Sequence, residues 1–461
     1  MELVVFTVIY IVSCLTGRAG LYYLSGGLLI MSAAGLALYN YKKSGRLTSP
    51  AVIFSLSWIG GVGISCLKLS NLATEWEMTT WICFYLAYAV FILCEKGTER
   101  LMLKEQIGSK GSVREREGST SRFAAELNNH SDKGLLNFSH DILLVMDVIS
   151  IVSVVCLIIE GFICGYIPVF LVDTPHAYSY FHVSGVHYFT VSCVLLPALG
   201  VLYLRYAYRV RGLISLWEML NAAVCVSVGI ILPILLVSRY QLLFGVMLAI
   251  AAFLVTEDGK VNIKLTGRTV LAAVSFVLAM LALYVFITIQ RDHSAEYLNG
   301  IFEMKNEHMP IFISQPYIYI ANNFDNFNCL VRDLPEHTRG LRMLFPVIAL
   351  TGLKFIKPEL AAFPIYVTKE ELTTVTLFYD AFYDFGTIGV IILAGVLGLA
   401  AALLESNNRR SVCIYLIYAE FAIYLALSFF TTWFSNPTTW FDFGITALIG
   451  IFLYLRRKTY D

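Results

Sequence analysis

Residues 141–164 read DILLVMDVISIVSVVCLIIEGFIC, with three acids, no base and otherwise almost wholly apolar side chains. A helix needs about 20 such residues to cross the hydrocarbon of a bilayer. Similar runs, bounded by polar or charged residues, fall at 2–17, 20–40, 48–68, 77–94, 187–208, 214–237, 241–256, 269–290, 386–405, 412–433 and 440–455. The whole chain agrees with them: it is 58% hydrophobic and 14% charged, with a mean hydropathy of +0.71. Soluble domains carry about 25% charged residues. The sequence therefore predicts an all-α polytopic membrane protein with about twelve transmembrane helices. The first run lacks a basic leading region and reads as a retained helix rather than a cleaved signal.

The longest interval that does not read as spanning is 291–385. It opens with Arg291-Asp292-His293 and closes with Tyr379-Asp380-Ala381-Phe382-Tyr383-Asp384-Phe385-Gly386. Two partly apolar segments, 311–330 and 341–355, lie inside it, and their re-entry into the bilayer stays open. With both termini placed inside, the inner side holds 22 of the 33 Lys and Arg residues, and eight of the other eleven lie in 291–385. The positive-inside rule therefore puts 291–385 outside. The expected organisation is helices one to nine over 1–290, a large extracytoplasmic loop over 291–385, and helices ten to twelve over 386–461. Residues 95–140, mixed in charge and poor in apolar side chains, read as a mobile cytoplasmic linker.

Formal net charge is zero and points to no nucleic-acid partner. Ten cysteines without CxxC spacing, most inside apolar runs, argue against disulfide or zinc frameworks. No Walker A or GxGxxG fingerprint occurs, so ATP-driven transport within this chain is not expected.

Polar residues at the outer edge carry the candidate chemistry. Arg239 lies in a hairpin of two or three polar residues between two spans. Binding of phosphate or carboxylate and snorkelling to lipid headgroups explain it equally well. Arg332, His337, Arg339 and Arg342, with Arg291 at the entrance, suit a phosphorylated lipid head as a set. Singly, each also suits a wet ectodomain surface. Asp380 and Asp384, four apart, share a face if the next span extends outward. They read either as a general base at the membrane edge or as partners of nearby arginines. His182 and His187 sit in an aromatic outer loop suited to sugar stacking or to an interfacial belt. Glu75-Trp76-Glu77 and Asp292-His293 are the outward acidic groups, too few for an oxygen-rich Mg or Mn site. No metal and no cofactor are expected. Within spans, Asp147, Glu160, Glu218, Glu420 and Asp442 suit either ion pathways or polar helix contacts.

Several stretches together resemble a known family. They are Leu47-Thr48-Ser49-Pro50 before the third span, Gly165-Tyr166-Ile167-Pro168-Val169-Phe170 after the fifth, and the hairpin Ser238-Arg239-Tyr240-Gln241-Leu242-Leu243. Tyr383-Asp384-Phe385-Gly386-Thr387-Ile388-Gly389 after one dominant outer loop completes the set. The pattern resembles the Wzy-type oligosaccharide repeat unit polymerases of O-antigen, capsule and exopolysaccharide synthesis. That resemblance implies a GT-C-like membrane glycosyltransferase in the bacterial cytoplasmic (inner) membrane, with both termini cytoplasmic. It would join oligosaccharides carried on undecaprenyl pyrophosphate, as donor and acceptor, by metal-independent transfer with inversion. Membrane lipid is the surrounding partner, and pairing with a chain-length regulator stays open.

On that resemblance Arg239, Arg291, Arg332, Arg339 and Arg342 would hold pyrophosphate, and His337, Asp384 or Asp380 would take the acceptor proton. His182, His187, Tyr379 and Tyr383 would line the sugar path. A ligase that moves finished glycan to another acceptor fits the same residues. A transporter or flippase is the alternative of another class, though no internal repeat is visible.

Overall fold

The computed structural model describes residues 2–109, 131–171, 177–257, 295–407 and 412–457. Among them regular structure is helical, apart from one isolated bridge between Ser70 and Met304. Eight helices are long and apolar enough to cross a membrane: Tyr22–Ser44, Met78–Met102, Asp132–Cys164, Val186–Arg209, Leu216–Leu235, Arg239–Thr256, Tyr379–Ser406 and Pro437–Arg457. The protein is an all-α polytopic membrane protein. Each of the eight falls on an expected run. The runs 48–68 and 412–433 fall on the shorter apolar helices Pro50–Cys66 and Ile414–Ala426, and 2–17 on the 17-residue helix Glu2–Arg18. The run 269–290 lies outside the described residues.

The stretch expected as a linker is helical at both ends. Helix Met78–Ser109 runs on past Glu95, and Asp132–Cys164 begins after Ser131, whose side chain accepts the Gly134 amide as an N-cap. The described residues of the interval 291–385 are likewise structured. It carries helices Ala295–Phe302, Ile311–Asp333, Phe345–Leu350 and Leu353–Ile356.

The chain forms two compact units. One comprises 1–116, 295–408 and 424–441, the other 117–294, 409–423 and 442–461. In the first, Glu2 at the start of one helix meets Asn40 near the end of Tyr22–Ser44 and Lys96 in the second half of Met78–Ser109, while Arg46 reaches Glu405. Successive helices therefore run in alternating directions, as short connections require. Close packing of Met78–Ser109 on Tyr379–Asn407 depends on Gly398, where a Cβ would come within 2.4 Å of the Phe91 carbonyl oxygen. Small residues are what allow membrane helices to approach this closely.

An aromatic core of Phe54, Trp58, Phe84, Phe324 and Phe378 joins these spans to helix Ile311–Asp333. That helix buries polar groups to an unusual degree: Asn322, Asn323, Asp325, Asn326 and Asn328 are all shielded from solvent. Each of them makes hydrogen bonds. Asn328 takes the Glu77 amide and Thr80 hydroxyl and donates to Thr74 and the Glu75 carbonyl. Asn326 donates to the carbonyls of Leu372 and Thr374 and accepts the Thr368 amide. Asn323 donates to the Phe429 carbonyl and accepts from Thr374. The helix thus pins three irregular segments that would otherwise expose unpaired backbone.

In the second unit, Glu160 is fully buried and accepts from Thr190, the Val183 amide and His187. Ser215 and Glu218 form a capping box that opens Leu216–Leu235.

Candidate functional site

Seven of the sequence candidates meet at the Tyr379 end of a spanning helix in the first unit. The helix starts at Tyr379, so Asp380 and Asp384 lie one turn apart on its first two turns. Residues 337–343 fold back over them. The amides of Thr338 and Arg339 donate to the carbonyls of Tyr383 and Asp384, at 3.3 and 3.1 Å. Arg339 and Gly340 have φ of 55° and 107°, the left-handed turn that brings the following amides round to face the helix.

Asp384 is fully buried and is the anchor of this turn. One carboxylate oxygen accepts the Thr338 hydroxyl and the Arg342 amide, the other the Met343 amide at 2.8 Å. Asp380 receives the Arg342 guanidinium through Nε at 2.7 Å and a terminal nitrogen at 2.5 Å, and the Ser435 hydroxyl as well. The same guanidinium lies 5.0 Å from the Tyr383 ring centroid and 5.7 Å from that of Phe363. Both carboxylates are therefore held by donors that tie residues 337–343 to the helix.

His337 differs from them. Its side chain is exposed, and Nδ1 lies 3.2 Å from the Tyr383 carbonyl oxygen. A carbonyl accepts only, so Nδ1 carries a hydrogen, and in the neutral ring Nε2 is the nitrogen with the lone pair. The ring rests over Gly386, where a Cβ would come within 3.1 Å of Nε2. Gly386 has φ 61° and ψ −145°, a backbone open to glycine, and it breaks the helix beneath the imidazole.

Tyr379 and Tyr383 are buried beneath this layer. The Tyr379 hydroxyl accepts the Tyr366 amide and donates to its carbonyl. Arg339 is exposed at the turn. Arg332 is exposed on the last turn of Ile311–Asp333 and makes a paired contact to Asp333, 2.7 and 2.8 Å, whose hydrogen bonds hold that carboxyl below its usual range.

The remaining candidates lie elsewhere in the chain. Arg239 is the first residue of Arg239–Thr256 in the second unit, after Val237 at φ 54° and the N-cap Ser238. His187 is fixed by Glu160, 3.0 Å from Nδ1, and its ring lies 5.0 Å from that of His182. Arg291 lies outside the described residues. Among the described residues no three His, Cys, Asp or Glu side chains converge as metal ligands.

Sequence reading passed over the support beneath the site. Lys68 Nζ lies 2.5 Å from Asp325, which also accepts the Trp76 indole N–H at 2.7 Å. Burial pushes the Asp325 carboxyl up, and Lys68 pulls it back. The signal was the run Asn322-Asn323-Phe324-Asp325-Asn326-Phe327-Asn328, too polar for lipid and too regular for a loop. Comparison with known proteins gives no matching family model, no matching curated protein and no matching solved structure.

Proposed function

We propose that this protein is a membrane-integral glycosyltransferase that polymerises oligosaccharide repeat units carried on undecaprenyl pyrophosphate. In this reading the chain crosses the bacterial cytoplasmic membrane twelve times in a GT-C-like arrangement, with both termini cytoplasmic and the His337 cluster at the outer face. One observation carries it: an exposed imidazole with a directed lone pair stands beside Arg339 and Arg342 at the end of a spanning helix. Lipid-linked sugar reacts at the membrane boundary, and such a boundary is where these groups gather.

The acceptor hydroxyl oxygen attacks the anomeric carbon of the donor while its proton passes to His337 Nε2. The bond from that carbon to the pyrophosphate oxygen breaks in line, with inversion. Arginine meets the charge gathering on the leaving undecaprenyl pyrophosphate. Arg339 and Arg332 are the exposed guanidiniums for that role, and Arg342, tied to Asp380, adds positive charge behind them. Asp384 positions the turn that carries His337 and Arg339.

The test uses the full-length chain in liposomes with undecaprenyl-pyrophosphate-linked repeat units from cells lacking it. A ladder of glycan lengths is expected, and His337→Ala should slow it by about 100-fold or more. A single transfer without a ladder would indicate the ligase alternative. Full activity in both His337→Ala and Arg339→Ala, at normal expression, refutes the assignment.

A further inference from the structure

We propose that residues 344–357 lie in the phospholipid leaflet beside the Tyr379 end of the spanning helix, as a lip embedded among the lipids. This inference does not depend on the chemistry proposed above. The segment presents one face to the protein and another outward. Pro346, Ile348 and Ala349 are buried, whereas Leu344, Val347, Phe355 and Ile356 are 55%, 58%, 65% and 77% exposed. Large apolar side chains this densely exposed mark a surface that meets something other than water.

Continuity with the span says what that is. Ile388, Ile392 and Val396 form an exposed apolar stripe along the helix beyond Gly386, and the exposed Phe385 stands just before that break. A helix in a bilayer shows such a stripe to lipid. The Phe385 ring at its upper end lies under Gly340, within 3.4 Å of where a Cβ would stand. The Gly340 carbonyl accepts the Leu344 amide at 2.9 Å, so the outward face of the segment begins one turn beyond the stripe. The root is fixed at that level by the Arg342 and Met343 amides on Asp384. Gly352, at φ 76°, turns the chain between the two short helices.

Charge agrees with the apolar pattern. Lys354 and Lys357 flank Phe355 and Ile356, and Lys354 Nζ lies 5.1 Å from the Phe355 ring centroid. Lysine stems run along apolar surface while their ammonium groups reach lipid phosphates. An apolar face rimmed by base is the pattern of an interfacial helix.

The test places p-benzoylphenylalanine singly at Phe355, Ile356, Ile392 and Glu371 in the full-length protein. Each variant goes into nanodiscs of phosphatidylethanolamine and phosphatidylglycerol. Irradiation is expected to give phospholipid-mass adducts at positions 355 and 356, as at 392 in the span, and none at the exposed Glu371. Adducts at 392 with none at 355 and 356, or cross-links from these two to protein peptides alone, overturn the proposal. A second arm needs no substitution. Wild-type protein in nanodiscs whose lipids carry an acyl-chain diazirine should be labelled in the tryptic peptide 343–354. Labelling of the spans without that peptide also overturns it.

Discussion

Replacing Lys68 by Met tests whether the polar helix beneath the site is a structural hinge-point. Lys68 and Asp325 have side chains only 8% and 3% exposed, and Nζ lies 2.5 Å from the carboxylate. Deleting one partner of a buried pair costs about 3–5 kcal/mol, because the other charge stays buried. A surface pair would cost about 0.2–1 kcal/mol, so the two cases separate cleanly. For a unit of this size the buried case corresponds to a loss of roughly 10 °C in Tm. Trp76 still donates to Asp325, which places the expected cost at the lower end of that range. Adding Asp325→Leu should restore part of the loss, since an apolar pair leaves no uncompensated charge. The pH dependence has a definite sign. Burial pushes the Asp325 carboxyl above its ordinary value. Such a group adds stability below the unfolded pKa of about 4 and loses it as pH rises through the folded value. Without Lys68 the loss grows, so Lys68→Met should trail wild type further at pH 8 than at pH 5. The assay is thermal denaturation of the full-length protein in one detergent at both pH values. A deficit under 2 °C, or a larger deficit at pH 5, refutes the reasoning.

Three further substitutions probe other parts of the frame. Asn326→Leu strands the Leu372 and Thr374 carbonyls and the Thr368 amide, at about 1–3 kcal/mol for each group left dry, and should speed proteolysis after Lys369. Gly398→Val drives a side chain into the Phe91 carbonyl oxygen, 2.4 Å from a Cβ there, and should lower Tm and the yield of monodisperse protein. Gly386→Ala costs about 1–3 kcal/mol at φ 61° and ψ −145°, a region almost confined to glycine, and pushes on His337 Nε2. On the proposed function, its polymer yield should fall by more than its Tm alone accounts for.

Hydropathy made the membrane class readable, because apolar length is a local property and lipid imposes it directly. The eight long helices all fall on runs visible in the sequence. The interval 291–385 was harder, for a physical reason. Helix Ile311–Asp333 is held by asparagine side chains that reach residues as distant as Thr74, Thr374 and Phe429. Hydropathy cannot register partners brought together by folding. The i, i+4 spacing of Asp380 and Asp384 did place them on adjoining turns. What spacing could not supply was the direction of residues 337–343, which depends on a left-handed turn at Arg339 and Gly340. The arginines of 291–385 likewise read, as a set, as an anion site. Whether a guanidinium is spent on a neighbour, as Arg342 is on Asp380, depends on tertiary contacts.

On the proposed function, proton acceptance requires an open lone pair, and the three candidate bases differ in how their oxygens and nitrogens are already hydrogen-bonded. Asp384 holds three donors on its two oxygens and is sealed from solvent. Asp380 holds a guanidinium and a hydroxyl. The bonds on these two acids keep residues 337–343 against the helix, so either could turn to a substrate only at the cost of that geometry. His337 carries no such burden. Its Nδ1 is tied to a carbonyl that fixes the ring, and its Nε2 remains able to accept. On the proposed function these side chains divide the labour: the two acids hold the turn through their hydrogen bonds, and the turn presents the imidazole to the acceptor hydroxyl.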